Sequence, residues 1–73
     1  MKKCYILCRS VTYASKGAKL LRKDGINAAV ERPPKQLFQQ PCGYCIVIND
    51  EYTERALHIL RQSDIEVKAV AKQ

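Results

Sequence analysis

Cys4-Tyr5-Ile6-Leu7-Cys8-Arg9-Ser10 passes from an apolar run into a capping residue, and Gly43-Tyr44-Cys45-Ile46-Val47-Ile48-Asn49 repeats the passage 39 positions later. Residues 4–9 are short and rich in β-formers, which reads as a strand. Ser10 is placed to cap the helix that follows, with Thr12 as a second candidate. Over residues 13–24, Ala14, Gly17, Ala18 and Leu21, flanked by Leu20, recur at helical spacing, while Lys16, Lys19, Arg22 and Lys23 fall mostly on the other face. Gly25 suits the position just past a helix end, where a left-handed backbone is easy for glycine. Residues 26–31 predict a weak second strand, because Ala28 and Ala29 have low β-propensity. Pro33-Pro34 ends it, since neither can donate to a ladder.

The same shift carries Tyr13 onto Tyr52, Leu21 onto Leu60, Arg22 onto Arg61 and Ile26 onto Ile65. The second half therefore predicts a strand at 44–48, caps at Asn49 and Asp50, and a helix over 52–63 with Ala56, Leu57 and Leu60 on one face. Residues 65–71 alternate as an edge strand. Two right-handed split βαβ units build one antiparallel sheet, order 4-1-3-2, with two helices on one face. The expected class is α+β, a ferredoxin-like βαββαβ two-layer sandwich, as one domain over residues 1–73. The link between the halves, residues 32–43, is long for a hairpin, and loops of about a dozen residues tend to be functional. A short turn of helix is expected at residues 36–39.

Composition narrows the setting. The chain has 73 residues, 47% of them hydrophobic, too many for a disordered tail. A core this small gains from an oligomer, a metal or a disulfide. No apolar run approaches the roughly 18 residues that span a bilayer, and Arg9 interrupts the first run too early for a signal-peptide core. The expectation is a soluble, cytoplasmic protein with no membrane association and mostly reduced thiols. The net charge of +6 suits an acidic partner, an anionic substrate or nucleic acid, although the cations are dispersed rather than clustered.

The link ends in Pro41-Cys42-Gly43-Tyr44-Cys45, a CxxC. It has three readings: a redox pair, half a metal site, or one reactive thiol beside a core cysteine. A thioredoxin-type site places CxxC before a helix, whose N-terminus stabilises the thiolate; here a strand follows. Structural zinc takes four ligands. Cys4 and Cys8, about 13 Å apart on an extended strand, cannot both join one ion, and His58 reads as solvent-facing. No metal and no cofactor is expected. Cys42 is the candidate nucleophile, next to a glycine that lets a partner approach. Arg32 and Lys35 on the same loop are placed to lower its pKa. Cys45 is the candidate resolving thiol. The repeat places Cys8 and Cys45 on the same side of adjacent central strands, with Cys8 opposite Gly43 or Cys45, so Cys8, Cys42 and Cys45 are expected to gather at one sheet end.

The chain resembles the small DUF3343 proteins, a family of selenium/sulfur carrier-like proteins, over nearly its whole length. The resemblance lies in Tyr5-Ile6-Leu7, in Ala18-Lys19-Leu20-Leu21-Arg22-Lys23-Asp24-Gly25-Ile26, in Pro33-Pro34-Lys35, in Cys42-Gly43 with the strand after it, and in Ser63-Asp64-Ile65-Glu66-Val67. The family's Cys-Gly signature falls on Cys42-Gly43 and its basic residue after proline on Lys35. The resemblance implies that Cys42 carries sulfur or selenium as a persulfide or selenosulfide. Cys4, Cys8 and Cys45 depart from the family pattern.

Three functions are expected to compete. One is a sulfur or selenium relay, more a carrier than an enzyme. It would take its cargo from a donor protein such as a cysteine desulfurase and pass it to an acceptor protein. The second is an RNA-binding sheet using Tyr5 and Tyr44, disfavoured because Tyr44-Cys45-Ile46-Val47-Ile48 lacks a second aromatic. The third is a regulatory module or homodimer. It follows from strands 1 and 3 being apolar on both faces, with Tyr5, Leu7, Tyr44 and Ile46 on one and Ile6, Cys8, Cys45 and Val47 on the other. The face without helices would then stand uncovered.

Overall fold

The computed structural model describes residues 2–38 and 43–73. Strand β1 (Lys3–Cys8) leads into helix α1 (Val11–Lys23), then strand β2 (Ala29–Glu31). After the link come β3 (Tyr44–Asn49), a 3-10 turn (Asp50–Tyr52), helix α2 (Thr53–Gln62) and β4 (Val67–Lys72). The strands pair antiparallel in the order β2-β3-β1-β4, and both helices pack on one face, which is the ferredoxin-like sandwich. No helix among the described residues is long and apolar enough to cross a membrane.

Helix α1 is bounded at both ends by the chemistry its sequence supplies, whereas at the start of α2 neither Asn49, an expected cap, nor Tyr52 makes a side-chain capping bond. The Ser10 side chain accepts from the Tyr13 amide at 3.4 Å, capping α1. At the other end Gly25 takes φ +86°, and the amides of Gly25 and Ile26 return to Arg22 and Leu21 at 3.0 and 2.9 Å. The second half repeats this with Asp64 in the glycine's place, at φ 57°, and the Ile65 amide on Leu60 at 2.9 Å. Helical periodicity delivers Ala14, Ala18 and Leu21 of α1 and Ala56 and Leu60 of α2 to a core with Ile6, Ile46 and Ile26.

The outer strands are shorter than the residue pattern predicts. Ile26 and Ala28 are buried, yet β2 begins only at Ala29. Backbone groups of the preceding residues are already engaged: the Ile26 amide by Leu21 and the Ala28 carbonyl by Arg22 Nε, both at 2.9 Å. Ile65 is likewise held by the end of α2, so β4 starts at Val67. A bulge sets Leu7 opposite Ala69 but Cys8 opposite Val67. It turns Val67 toward the helix-side core, while Ala69 and Ala71 pack on the other face.

The face assignment of β3 relative to β1 differs from the one the repeat suggests. The register pairs Cys8 with Tyr44, Leu7 with Cys45, Ile6 with Ile46 and Tyr5 with Val47. Tyr5, Leu7, Cys45 and Val47 therefore share the helix-free face, and Cys4, Ile6, Cys8, Ile46 and Ile48 share the helix side. In this register odd-numbered residues face odd and even face even, so residues related by the odd shift of 39 fall on opposite faces. The repeat holds at the helix ends, while the central strands obey the hydrogen-bonded register.

The helix-free face is not left open. Leu37 and Phe38 from the link lie on it and join Tyr5, Leu7, Cys45 and Val47 in a second apolar cluster. Tyr5, Leu7 and Val47 are between 5% and 8% exposed, so the expected uncovered surface, and the argument for self-association through it, is replaced by cover from the chain itself. In place of the expected turn of helix at residues 36–39 the link makes a turn over 35–37, where the Leu37 and Phe38 amides both reach the Pro34 carbonyl, at 3.1 and 3.3 Å; Gln39 lies outside the described residues.

Candidate functional site

The site is the sheet end where the link re-enters as β3. Gly43 takes φ +95°, a region L side chains rarely adopt. Its α-carbon is pressed onto the turn that leaves β1: a β-carbon here would collide with the Cys8 carbonyl oxygen and stand 2.9 Å from that of Arg9. Both backbone angle and space exclude any other residue. Gly43 thus enters the sheet through a backbone-to-backbone contact. Cys42 itself lies outside the described residues.

Arg32 and Lys35 are both exposed. The Arg32 guanidinium lies 5.7 Å from the centre of the Tyr44 ring, a cation–π contact that places a positive charge beside Gly43's neighbour. Lys35 sits in the turn that delivers Leu37 and Phe38. Arg9, whose carbonyl Gly43 meets, adds an exposed cation, with Glu66 at 3.9 Å, a pair too solvated to cancel it firmly. Ser10 starts α1 at this end, and the first turn of α1 holds no acid, so its positive dipole end is uncompensated by side chains.

The two described cysteines of the expected cluster do reach this end, but not together. Cys8 is fully buried on the helix side, and burial pushes its thiol pKa up. Cys45 is fully buried on the opposite face, and its pKa is pushed up to about 11, by burial first and by the neighbouring Cys8 and Glu31 charges next. Neither side chain touches solvent, and the sheet separates them. Cys4 is buried near the far end of β1. His58 is exposed on α2. Among the described residues no group of three or more His, Cys, Asp or Glu is placed to hold a metal.

Tyr5 and Tyr44 do not form the paired platform that strands 1 and 3 suggested. Tyr5 is 8% exposed on the helix-free face, its hydroxyl donating to Gln73 Oε1 at 3.1 Å. Tyr44 packs against the helix-side core beneath Arg32. Stacking of successive bases needs aromatic faces open on one surface, and the register denies it.

Sequence reading passed over three residues of this region. Leu37 and Phe38 are an apolar pair inside the polar run Pro34-Lys35-Gln36-Leu37-Phe38-Gln39-Gln40, a contrast that signals an anchor. Arg9 gave no signal, because its part in the site is a carbonyl met by Gly43.

What the fold and this end of the sheet define is a small ferredoxin-like protein whose link re-enters the sheet at Gly43, beside the exposed cations Arg9 and Arg32, and whose described cysteines are all buried. Residues 3–72 match the family model described as "putative Se/S carrier protein-like", and the chain belongs to that family. No curated protein and no solved structure matches the chain.

Proposed function

We propose that the protein is a cytoplasmic sulfur or selenium carrier that works through Cys42. The Cys42 thiolate attacks the outer sulfur of a persulfide on a donor protein, such as a cysteine desulfurase. One S–S bond forms as another breaks, the donor cysteine leaves as a thiolate, and Cys42 holds the cargo as a persulfide. An acceptor protein's thiol removes it by the same exchange; selenium would travel as the selenosulfide. No cofactor is needed, because each exchange conserves electrons.

The family match over residues 3–72 carries this reading. The locked backbone of Gly43 supports it, since it gives the residue after Cys42 one position on the fold. Arg32 and Lys35, exposed on the same link, favour the thiolate and suit an acidic donor surface. Burial of Cys4, Cys8 and Cys45 leaves none of them available to compete for a visiting persulfide.

The test is intact mass and peptide mapping after incubation with a cysteine desulfurase and cysteine. The wild type should gain one sulfur atom on the Cys42 peptide, and Cys42→Ala should gain none. A wild type that stays unmodified, or a gain that survives Cys42→Ala, overturns the reading.

A further inference from the structure

A carrier with a second cysteine three residues from its cargo faces an internal competitor. If the Cys45 thiolate attacked Cys42 Sγ of the persulfide, a Cys42–Cys45 disulfide would form and hydrosulfide would leave. The balance is Cys45–S⁻ plus Cys42–S–SH giving Cys42–S–S–Cys45 plus HS⁻. Two electrons pass to the departing sulfur, and no outside reductant is needed. Such a reaction wastes the cargo as free sulfide. Cys8 cannot take this role, because it faces the helix layer across the sheet. Cys45 is the thiol that must be restrained.

We propose that Phe38 determines the fate of the cargo: seated in the cluster that encloses Cys45, it keeps that thiol from attacking, so the sulfane atom leaves to an acceptor rather than as sulfide. This rests on the carrier reading of Cys42. Three observations carry it. Phe38 is 8% exposed and closes the helix-free cluster whose other members are Tyr5, Leu7, Val47 and Cys45 itself, which is 0% exposed. The turn carrying Phe38 is braced by amide bonds from Leu37 and Phe38 to the Pro34 carbonyl. Cys45 is held in the ladder between Leu7 of β1 and Glu31 of β2, so it cannot swing out without breaking strand pairs. Release of Phe38 from the cluster opens this face without breaking a strand pair.

The enclosure also acts on the chemistry. Burial first, and the neighbouring Cys8 and Glu31 next, push the Cys45 pKa from 9.0 up to about 11. The thiolate fraction at neutral pH falls by about a hundredfold, and the greater intrinsic nucleophilicity of a more basic thiolate returns about tenfold of that. Uncovering Cys45 removes the burial part of this shift and should speed its attack by up to roughly tenfold from ionisation, with access added.

The experiment loads the full chain with inorganic polysulfide, removes the excess, and follows free sulfide and intact mass. Wild type should retain the sulfane atom. Phe38→Ala should release sulfide roughly tenfold faster or more and finish with a Cys42–Cys45 disulfide in the peptide map. The double variant Phe38→Ala with Cys45→Ser should regain retention, and Phe38→Leu, which refills the cluster, should behave like wild type. Phe38→Ala that is folded by circular dichroism yet retains its cargo like wild type overturns the proposal, as does release that persists without Cys45. If Phe38→Ala fails to fold, iodoacetamide labelling of Cys45 in folded Cys42→Ala protein decides. Labelling at least tenfold faster once Phe38→Val is added to that protein supports the restraint, and equal rates overturn it. Chemical loading needs no donor enzyme, so failure of transfer from a desulfurase, which would defeat the carrier reading, is distinguishable from failure of the restraint.

Discussion

Gly43 and Cys8 meet backbone to backbone: the glycine, at φ +95°, leaves no room for a β-carbon against the Cys8 carbonyl oxygen. Gly43→Ala therefore combines a left-handed backbone penalty with an overlap that only main-chain movement relieves. The expected loss is about 2–4 kcal/mol, read as a lower urea midpoint with an unchanged slope. A loss below about 0.5 kcal/mol would show that the link re-enters the sheet by another path.

Asp64 does for α2 what Gly25 does for α1, but as a non-glycine residue at φ 57°. It also puts a negative charge at a helix C-terminus, where the dipole opposes it. Asp64→Gly should raise stability by about 0.5–1 kcal/mol, after the extra backbone freedom of the unfolded chain is counted. Thermal unfolding is the readout, and a lower midpoint contradicts the assignment.

Leu37 and Phe38 keep the helix-free face dry. Phe38→Asp replaces an apolar lid with a charge that cannot share the cluster, so the lid lifts and Tyr5, Leu7 and Val47 become accessible. The variant should bind an apolar dye such as ANS and associate in sedimentation, both beyond the wild type. Dye binding equal to wild type would mean that another segment covers the face.

Two paired surface carboxylates contribute to the acid limb of stability. Asp50 is drawn below its ordinary value of 3.8, chiefly by its hydrogen bond with Lys72 at 2.9 Å. Asp24 is drawn down by its hydrogen bond with Arg55. A depressed folded pKa stabilises above the unfolded pKa, and the gain is lost as pH falls through 3.8 toward the lower folded value. Lys72→Met should flatten the decline below about pH 5, measured by urea midpoints across pH; an unchanged acid limb would remove the pair from the account. Both pairs are solvent-exposed, so the effect should also shrink in high salt.

Cys45 acts on the opposite limb. Its folded pKa of about 11 lies above the ordinary 9.0, so the unfolded chain loses this proton first as pH rises. Stability from this group is intact below pH 9.0 and falls between 9.0 and about 11. Cys45→Val, similar in volume and without a titrating group, should show a shallower alkaline decline than wild type. Parallel declines would place the thiol in contact with water.

The residues of this chain announce its architecture locally. Ser10, Gly25 and the spacing of Ala14, Ala18 and Leu21 bound one helix without reference to anything distant, and Leu60 with Ile65 repeats the device. Helix period and caps act within a few residues, so they are legible in the string, and duplication of the unit supplies the sheet order. The glycine that Gly43's positive φ requires stands in the string in the same way. Which face each thiol occupies is not legible there, because strand register is a long-range pairing and a slip of one residue sends every side chain to the other side. That one parity separates Cys8 from Cys45 and Tyr5 from Tyr44. The cover on the helix-free face is equally non-local: a loop has no period to betray where its apolar residues land, and Phe38 finds Tyr5, Leu7 and Val47 only once the sheet exists.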